Sequence, residues 1–341
     1  MSYGVTIWAE GGRSIGMGHI MRSVNLGAAL RDIHVPVTFL VNDEAPVKLV
    51  LREKGFDYRI SPITEDVLLW PVTDVVVLDT KKEVSALIEL LRGDGKTVVL
   101  LDNTTDAAGA ADMVVVPSPF FNTDSVGNVI GGPGYMIIGE NFKRARGVSV
   151  ELKHALPLRV LVTMGGADPN RLTEKIVEAL WDVDDIEATV IIGPAFPKTR
   201  KLAGLKRRKD RRFTFLEGVK DLGPLMASAH IAFTAVGTTI NELAYMGVPS
   251  IIISNYVEDA PDLVELERLG IALPLGYHAE VVPADIRDAV ERFVEDSEYW
   301  EEMKCSAASL TDGHGARKVA EIIAVLLDEF GVGLRVMSGG G

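Results

Sequence analysis

The chain has 341 residues, 47% of them hydrophobic and 24% charged. That is the composition of an ordinary water-soluble globular protein, and at about 150 residues per domain the length predicts two domains. The 35 Lys and Arg against 48 Asp and Glu leave a formal net charge of −13, which argues against a nucleic-acid partner, and a single cysteine excludes an intrachain disulfide or a cysteine-rich zinc site.

No apolar run approaches the ~20 residues of a membrane span. Met1-Ser2-Tyr3-Gly4 leads straight into a predicted strand without the pattern of a signal peptide, so a cytoplasmic protein is expected. Short Val- and Ile-rich runs alternate with helical patterns along the whole chain, which predicts parallel sheets wrapped by helices. In the first half the predicted strands are Val5 to Ala9, Val37 to Val41, Asp74 to Leu78, Thr97 to Leu101, Met113 to Val116 and Tyr135 to Ile138. In the second they are Arg159 to Thr163, Ala188 to Ile192, Phe213 to Leu216, Ile231 to Thr234, Ser250 to Ile253 and Ala272 to Leu275. The polar segment Lys143 to Pro157 separates the two sets. The expected organisation is therefore a first Rossmann-like domain over residues 1–155, a second over 156–330 and a flexible tail over 331–341. Both are α/β and doubly wound, with ligand expected in an interdomain cleft at the strand C-termini.

Three loops carry the chemistry. After the first strand, Gly16-Met17-Gly18-His19-Ile20-Met21-Arg22 opens a helix. Its glycines admit a ligand close to the backbone, and the helix start attracts anions. His19 there is either a proton acceptor beside the ligand or a capping and packing residue. Met21 stands where a dinucleotide fingerprint would need its third glycine, which argues against a nicotinamide cofactor. After the strand from Arg159, the loop Met164-Gly165-Gly166-Ala167-Asp168 repeats the arrangement. The third loop, Ala235-Val236-Gly237-Thr238-Thr239-Ile240-Asn241-Glu242, offers backbone N–H and hydroxyl donors to a diphosphate, and Glu242 one turn on can accept both hydroxyls of a ribose. Asp79 and Asp102-Asn103 end strands, where they either join a site or cap a helix. The remaining histidines show no metal-ligand spacing, and no cofactor or metal is expected. The basic run Lys206 to Arg212 lacks interleaved aromatics and reads as a solvated loop or helix end.

On these motifs, together with Asp312-Gly313-His314-Gly315-Ala316 and the segment Gly132-Pro133-Gly134-Tyr135 through Asn141-Phe142, the chain resembles the two-domain enzymes of the glycosyltransferase B fold. It is most similar to the UDP-2,4-diacetamido-2,4,6-trideoxy-β-L-altropyranose hydrolases of pseudaminic acid biosynthesis and the related spore coat polysaccharide biosynthesis proteins. More distantly it resembles the N-acetylglucosaminyltransferase that makes lipid II. The resemblance implies a UDP-linked sugar as substrate, His19 as the general base that activates water, and Gly165, Gly166, Gly237 and Glu242 as nucleotide ligands. Gly16, Gly18, Thr238 and Thr239 join them as candidate phosphate contacts. Glu10, Arg22, Lys81, Asn141, Glu258 and Asp259 are candidate substrate contacts.

The chain departs from that family's pattern at several places. Trp8 and Glu10 stand where the family carries an arginine and an aspartate, Thr80-Lys81 where it has an aromatic residue, and Glu258-Asp259 where it has an Asn-Gln pair. Two carboxylates beside a diphosphate would repel it unless a lysine or Mg²⁺ intervened, although no spacing requires the metal. The implied activity is nucleotide-sugar hydrolysis with release of UDP. A glycosyltransferase using a UDP-sugar donor and a non-catalytic nucleotide-sugar-binding paralogue are the alternatives.

Overall fold

The computed structural model describes residues 3–12, 15–64, 73–121, 127–148 and 152–338. The chain divides into two compact units. One runs through Ile138 and takes up the chain again from Gly313, and the other is Gly139–Asp312.

The strands of the first unit are β1 (Val5–Ala9), β2 (Val37–Val41), β3 (Asp57–Ile60), β4 (Val75–Asp79), β5 (Thr97–Leu101), β6 (Met113–Val116) and β7 (Val129–Gly131). They form one sheet in the order β3-β2-β1-β4-β5-β6-β7, parallel throughout. Helices α1 (Gly18–Asp32), α2 (Ala45–Glu53), α3 (Ser85–Gly93) and α4 (Ala107–Ala110) connect them. Successive strand residues point to opposite faces. Val5, Ile7, Ala9, Val75 and Val77 accordingly pack with Ile20 and Val24 of α1, while Trp8, Val76 and Leu78 pack with Leu87 and Ile88 of α3. Coverage on both faces is why these strands read as unbroken apolar runs, each buried side chain contributing about 1.5–3 kcal/mol.

The second unit begins with α5 (Glu140–Val148). Its strands are β8 (Leu158–Val162), β9 (Ile186–Ile192), β10 (Phe213–Glu217), β11 (Ile231–Thr234), β12 (Ser250–Ser254) and β13 (Ala272–Tyr277). Helices α6 (Leu172–Leu180), α7 (Arg200–Arg207), α8 (Gly223–Ser228), α9 (Thr238–Tyr245), α10 (Ala260–Arg268), α11 (Pro283–Glu295) and α12 (Ser297–Ser309) follow in chain order. The sheet order is β10-β9-β8-β11-β12-β13, again all parallel. Both units thus wind outward in opposite directions from a central strand pair, β1 and β4 in one, β8 and β11 in the other. In open parallel sheets that reversal is where ligands bind, beyond the strand C-termini.

The two-sheet α/β architecture is as the sequence predicts, but its borders differ. The first unit ends at Ile138 rather than at residue 155, because Lys143 to Val148 belongs to α5 and is no linker. Phe142 and Ala145 of α5 are buried, Gly223 of α8 lies against Ala145, and Asn141 donates to Asp221 at 2.8 Å. The chain from Gly313 returns to the first unit as α13 (Gly315–Ser338). Val319, Ala320 and Ile323 of that helix join the core built on β1 and α1. The predicted tail over 331–341 is therefore helical as far as Ser338, and residues 339–341 lie outside the described residues. Among the described residues Tyr135 to Ile138 pairs with no strand. Pro133–Tyr135 is a single 3-10 turn, and any side chain at Gly315 would collide with the backbone of Tyr135 and Met136.

Candidate functional site

In the first unit, the site is built where β1 and β4 diverge. Register places Ala9 beside Asp79, so the loop after β1 and the end of β4 emerge side by side. Asn42 holds the start of that loop with two hydrogen bonds to Gly11 (3.0 and 2.8 Å), and Gly12 and Gly16 close it through a pair of backbone bonds. Gly16 has φ +84° and nothing within 4 Å of where a Cβ would stand, so the backbone there is open to approach. Helix α1 then begins at Gly18 with no side-chain cap on Met17 and no acidic residue in its first turn.

His19 lies in that first turn. Its Nδ1 is 2.5 Å from Asp79 Oδ1. Asp79 is buried and accepts three further hydrogen bonds: Arg22 Nη2 to Oδ1 (2.6 Å), and Arg22 Nε (3.2 Å) and Ser23 Oγ (2.8 Å) to Oδ2. All four lone-pair directions of the carboxylate are in use. Burial opposes its ionisation, but the Arg22 guanidinium and the His19 hydrogen bond outweigh burial and hold the carboxyl down at about 2. An ionised carboxylate only accepts, so Nδ1 carries the proton and donates it to Asp79. The Arg22 Nη2 atom, 3.2 Å from Nδ1, therefore directs its N–H to Asp79 instead. The Nε2 atom takes no hydrogen bond among the described residues.

Arg22 and its surroundings extend the network. Its Nη1 donates to Asp102 Oδ2 at 2.7 Å, and the same oxygen lies 3.0 Å from Lys81 Nζ. Asp102 has φ +57° at the end of β5, and Arg22 with Lys81 keeps its carboxyl low against burial. Asn103, fully buried, donates to the carbonyls of Thr80 and Lys82 at 2.8 Å each and so fixes the loop that carries Lys81. Glu10 accepts from Ile63 N–H (3.1 Å) and pairs with Lys82 (2.6 Å). Arg22, expected as a substrate contact, is buried between two carboxylates and positions Asp79 instead. Trp8 is core, its indole N–H on the Ser61 carbonyl at 2.8 Å. The sequence reading missed Ser23 and left Asp79 and Asp102 open between site and helix cap.

In the second unit the loops after β8 and β11 occupy the corresponding reversal. Gly165 has φ +77° with nothing within 4 Å of a would-be Cβ, and the Gly166 carbonyl accepts from Ala195 N–H at 2.9 Å. Asp168 caps α6, accepting from Leu172 (2.7 Å) and Thr173 (2.9 Å) N–H. Gly237 precedes α9 with open space at its Cβ position, and that helix also starts without a side-chain cap or an acidic first turn. Its N-terminal N–H groups, with Thr238 and Thr239 half-buried beside them, form an anion-binding arrangement. Glu242 follows one turn on, also half-buried. Its carboxylate takes no hydrogen bond among the described residues, and burial pushes it up to about 8.

Two other candidates are engaged within the second unit. Asp259 accepts from Ser254 Oγ (2.9 Å) and Tyr256 N–H (3.3 Å), stabilising its own turn, while Glu258 is exposed. Asn141 is tied to Asp221. Among the described residues no group of three or more His, Cys, Asp or Glu could hold a metal ion, and no helix is long and apolar enough to cross a membrane.

No protein-family model matches the chain. Over 269 residues it is 26% identical to an uncharacterized protein of Methanocaldococcus jannaschii, a match that takes in 73% of this chain and 55% of that protein, so the chain spans about half the length of that relative. Over 345 residues it is 24% identical to the spore coat polysaccharide biosynthesis protein SpsG of Bacillus subtilis, covering 95% of this chain and 99% of that one. Among solved structures it is similar to MurG of Acinetobacter baumannii (TM-score 0.67, 14% identity, 94% and 99% of the two chains). It is also similar to the glycotransferase of kitacinnamycin (0.66, 17%, 96% and 100%). A third is MnaA of S. aureus, solved with UDP (0.65, 12%, 95% and 97%). The fold of the chain is therefore the two-sheet glycosyltransferase B fold.

Proposed function

We propose that the chain is a nucleotide-sugar hydrolase that releases UDP from a UDP-linked amino or deoxy sugar, with His19 as general base. The observation that carries this reading is the histidine itself, whose Nδ1 proton is held by a buried, ionised Asp79 while Nε2 has no partner among the described residues. Nε2 takes a proton from water as the water oxygen bonds to the anomeric carbon. The bond from that carbon to the diphosphate oxygen breaks, and its electron pair leaves with UDP. Asp79 then faces an imidazolium, whose charge it stabilises. Gly165, Gly166, Gly237, Thr238 and Thr239 hold the diphosphate through N–H and hydroxyl donors, and Glu242 accepts the ribose hydroxyls. Gly16 and Gly18 let the ligand approach the backbone beside His19. Similarity to a spore coat polysaccharide protein supports this substrate class.

Phosphorus NMR of the protein with a panel of UDP-linked sugars, without acceptor, tests the reading. Free UDP is expected from one amino-sugar donor, and His19→Ala should abolish the release while still melting cooperatively; undiminished release in that variant removes His19 from the chemistry. The second reading, a glycosyltransferase, is favoured by neighbours that are named as transferases. Release of UDP only after an acceptor is added would select it, and binding with no turnover in either case would leave a non-catalytic binder.

A further inference from the structure

We infer that Lys81 and Lys82 form an anion-recognition pair at the His19 site, and that the substrate presents a carboxylate or phosphoryl group to them. The inference rests on the nucleotide-sugar reading for the nature of the substrate and deepens it.

Three observations carry it. First, the loop bearing the two lysines is rigid: the fully buried Asn103 clamps the carbonyls of Thr80 and Lys82, and Lys82 N–H donates to Thr80 Oγ1 at 3.1 Å. A fixed loop presents its side chains at low entropic cost. Second, both ammoniums pair with a carboxylate and still reach solvent. Lys81 rests on Asp102 at 3.0 Å and Lys82 on Glu10 at 2.6 Å, yet the lysine side chains remain 63% and 53% exposed. Each carboxylate also has a second donor, Arg22 for Asp102 and the Ile63 N–H for Glu10, and the three donors of an ammonium let each lysine hold its carboxylate and a ligand oxygen together. Third, the start of α1, whose His19 meets Asp79 two residues before Lys81, has no side-chain cap and no acidic first turn, so its free N–H groups favour an anion as the lysines do. Arg22 cannot serve as the anion contact, because Asp79 and Asp102 take up its guanidinium inside the unit.

The anionic oxygens have two sources, the diphosphate of the nucleotide or a carboxylate on the sugar, and titration calorimetry separates them. UDP-glucuronate, UDP-glucose and UDP are each titrated into wild type, into Lys81→Met/Lys82→Met and into the charge-keeping Lys81→Arg/Lys82→Arg. With a sugar carboxylate as the source, wild type prefers UDP-glucuronate over UDP-glucose by about tenfold or more. That preference disappears in the Met pair, returns in the Arg pair, and leaves UDP affinity unchanged. With the diphosphate as the source, all three ligands weaken together in the Met pair. Equal affinities across the three proteins overturn the inference. If no nucleotide binds any of them, the nucleotide-sugar reading has failed. The lysine pair is then decided by titrating inorganic pyrophosphate and D-glucuronate into protein labelled with ¹³C at lysine Cε: shifts at Lys81 and Lys82 uphold it, and their absence overturns it.

Discussion

Replacing Asp79 by Asn removes the charge on which the His19 network is built. The carboxyl is held at about 2 instead of its ordinary 3.8, a differential of about 2 kcal/mol in favour of the folded, ionised state. Breaking a buried ion pair from one side costs about 3–5 kcal/mol, and because Asp102 still neutralises Arg22 the lower end applies. For a unit of roughly 170 residues each kcal/mol moves the melting temperature by about 2–4 °C, so Asp79→Asn should melt about 6–12 °C below wild type at pH 7. Scanning calorimetry measures the shift, and amide exchange in β1 and β4 identifies the transition to which it belongs. A depressed carboxylate pKa gives stability that is present above 3.8 and lost as pH falls toward 2. At pH 3 wild type has therefore lost about half of the Asp79 contribution, and the gap between the two proteins narrows accordingly. UDP release should fall with the variant by about 10²–10⁴-fold, the usual contribution of a positioned base. A gap below 2 °C at pH 7, or one that does not narrow toward pH 3, would refute the assignment of an ionised Asp79 at the centre of the network.

Glu242 should behave in the opposite sense: burial raises its carboxyl from 4.5 to about 8, so the unfolded chain releases a proton that the folded one retains, and stability falls as pH rises through that window. Glu242→Gln should gain in melting temperature over wild type between pH 5 and 8 while binding UDP about tenfold more weakly; a melting difference that is flat with pH, or unchanged UDP affinity, counts against it. Gly165→Ala places a Cβ on a residue at φ +77°, which should cost about 1 kcal/mol and weaken UDP binding by more than that in calorimetry. Full UDP affinity in that variant would remove the loop after β8 from the phosphate site. His230 is buried, its Nδ1 accepts from Arg159 N–H at 2.9 Å, and burial followed by the Arg159 charge lowers its pKa from 6.5 to about 4. Stability should therefore drop as pH falls from 6.5 to 4, by at most about 3 kcal/mol, and His230→Gln should lose less over the same interval in urea titrations.

The central strands were legible because both faces of each sheet are covered, which writes them as continuous Val and Ile runs such as Val75-Val76-Val77-Leu78. The edge strands were not. Asp57-Tyr58-Arg59-Ile60 is mostly exposed and carries the polar residues of a sheet margin, and Val129–Gly131 has only three residues. Met136, Ile137 and Ile138 show the converse error: they are buried and apolar like a strand, but they sit under the start of α13 instead of pairing. The glycine loops and His19 could be found because their spacing is local. The partners of His19 could not, since Asp79 stands 60 residues away and meets it only through the sheet order that sets β4 beside β1.

Asp79, buried, and Glu242, half-buried, both lie near a strand reversal, and the difference between them sorts the candidate residues. Asp79 has a donor for every lone pair, so it can fix its neighbours but has nothing left to offer a ligand. The same accounting assigns Arg22 and Asp168 to the framework, because their polar atoms are already paired within their own units, while Asp259 and Asn141 each have one polar atom so engaged. Glu242 has burial without a donor, an arrangement that lowers stability above pH 4.5 and that a ribose hydroxyl would relieve. His19 Nε2 and the uncapped starts of α1 and α9 are unfinished in the same way. Under the proposed function, polar groups with incomplete partners at the point where a parallel sheet reverses direction are the ones a bound substrate would complete, and a chain selected for stability alone would have capped them.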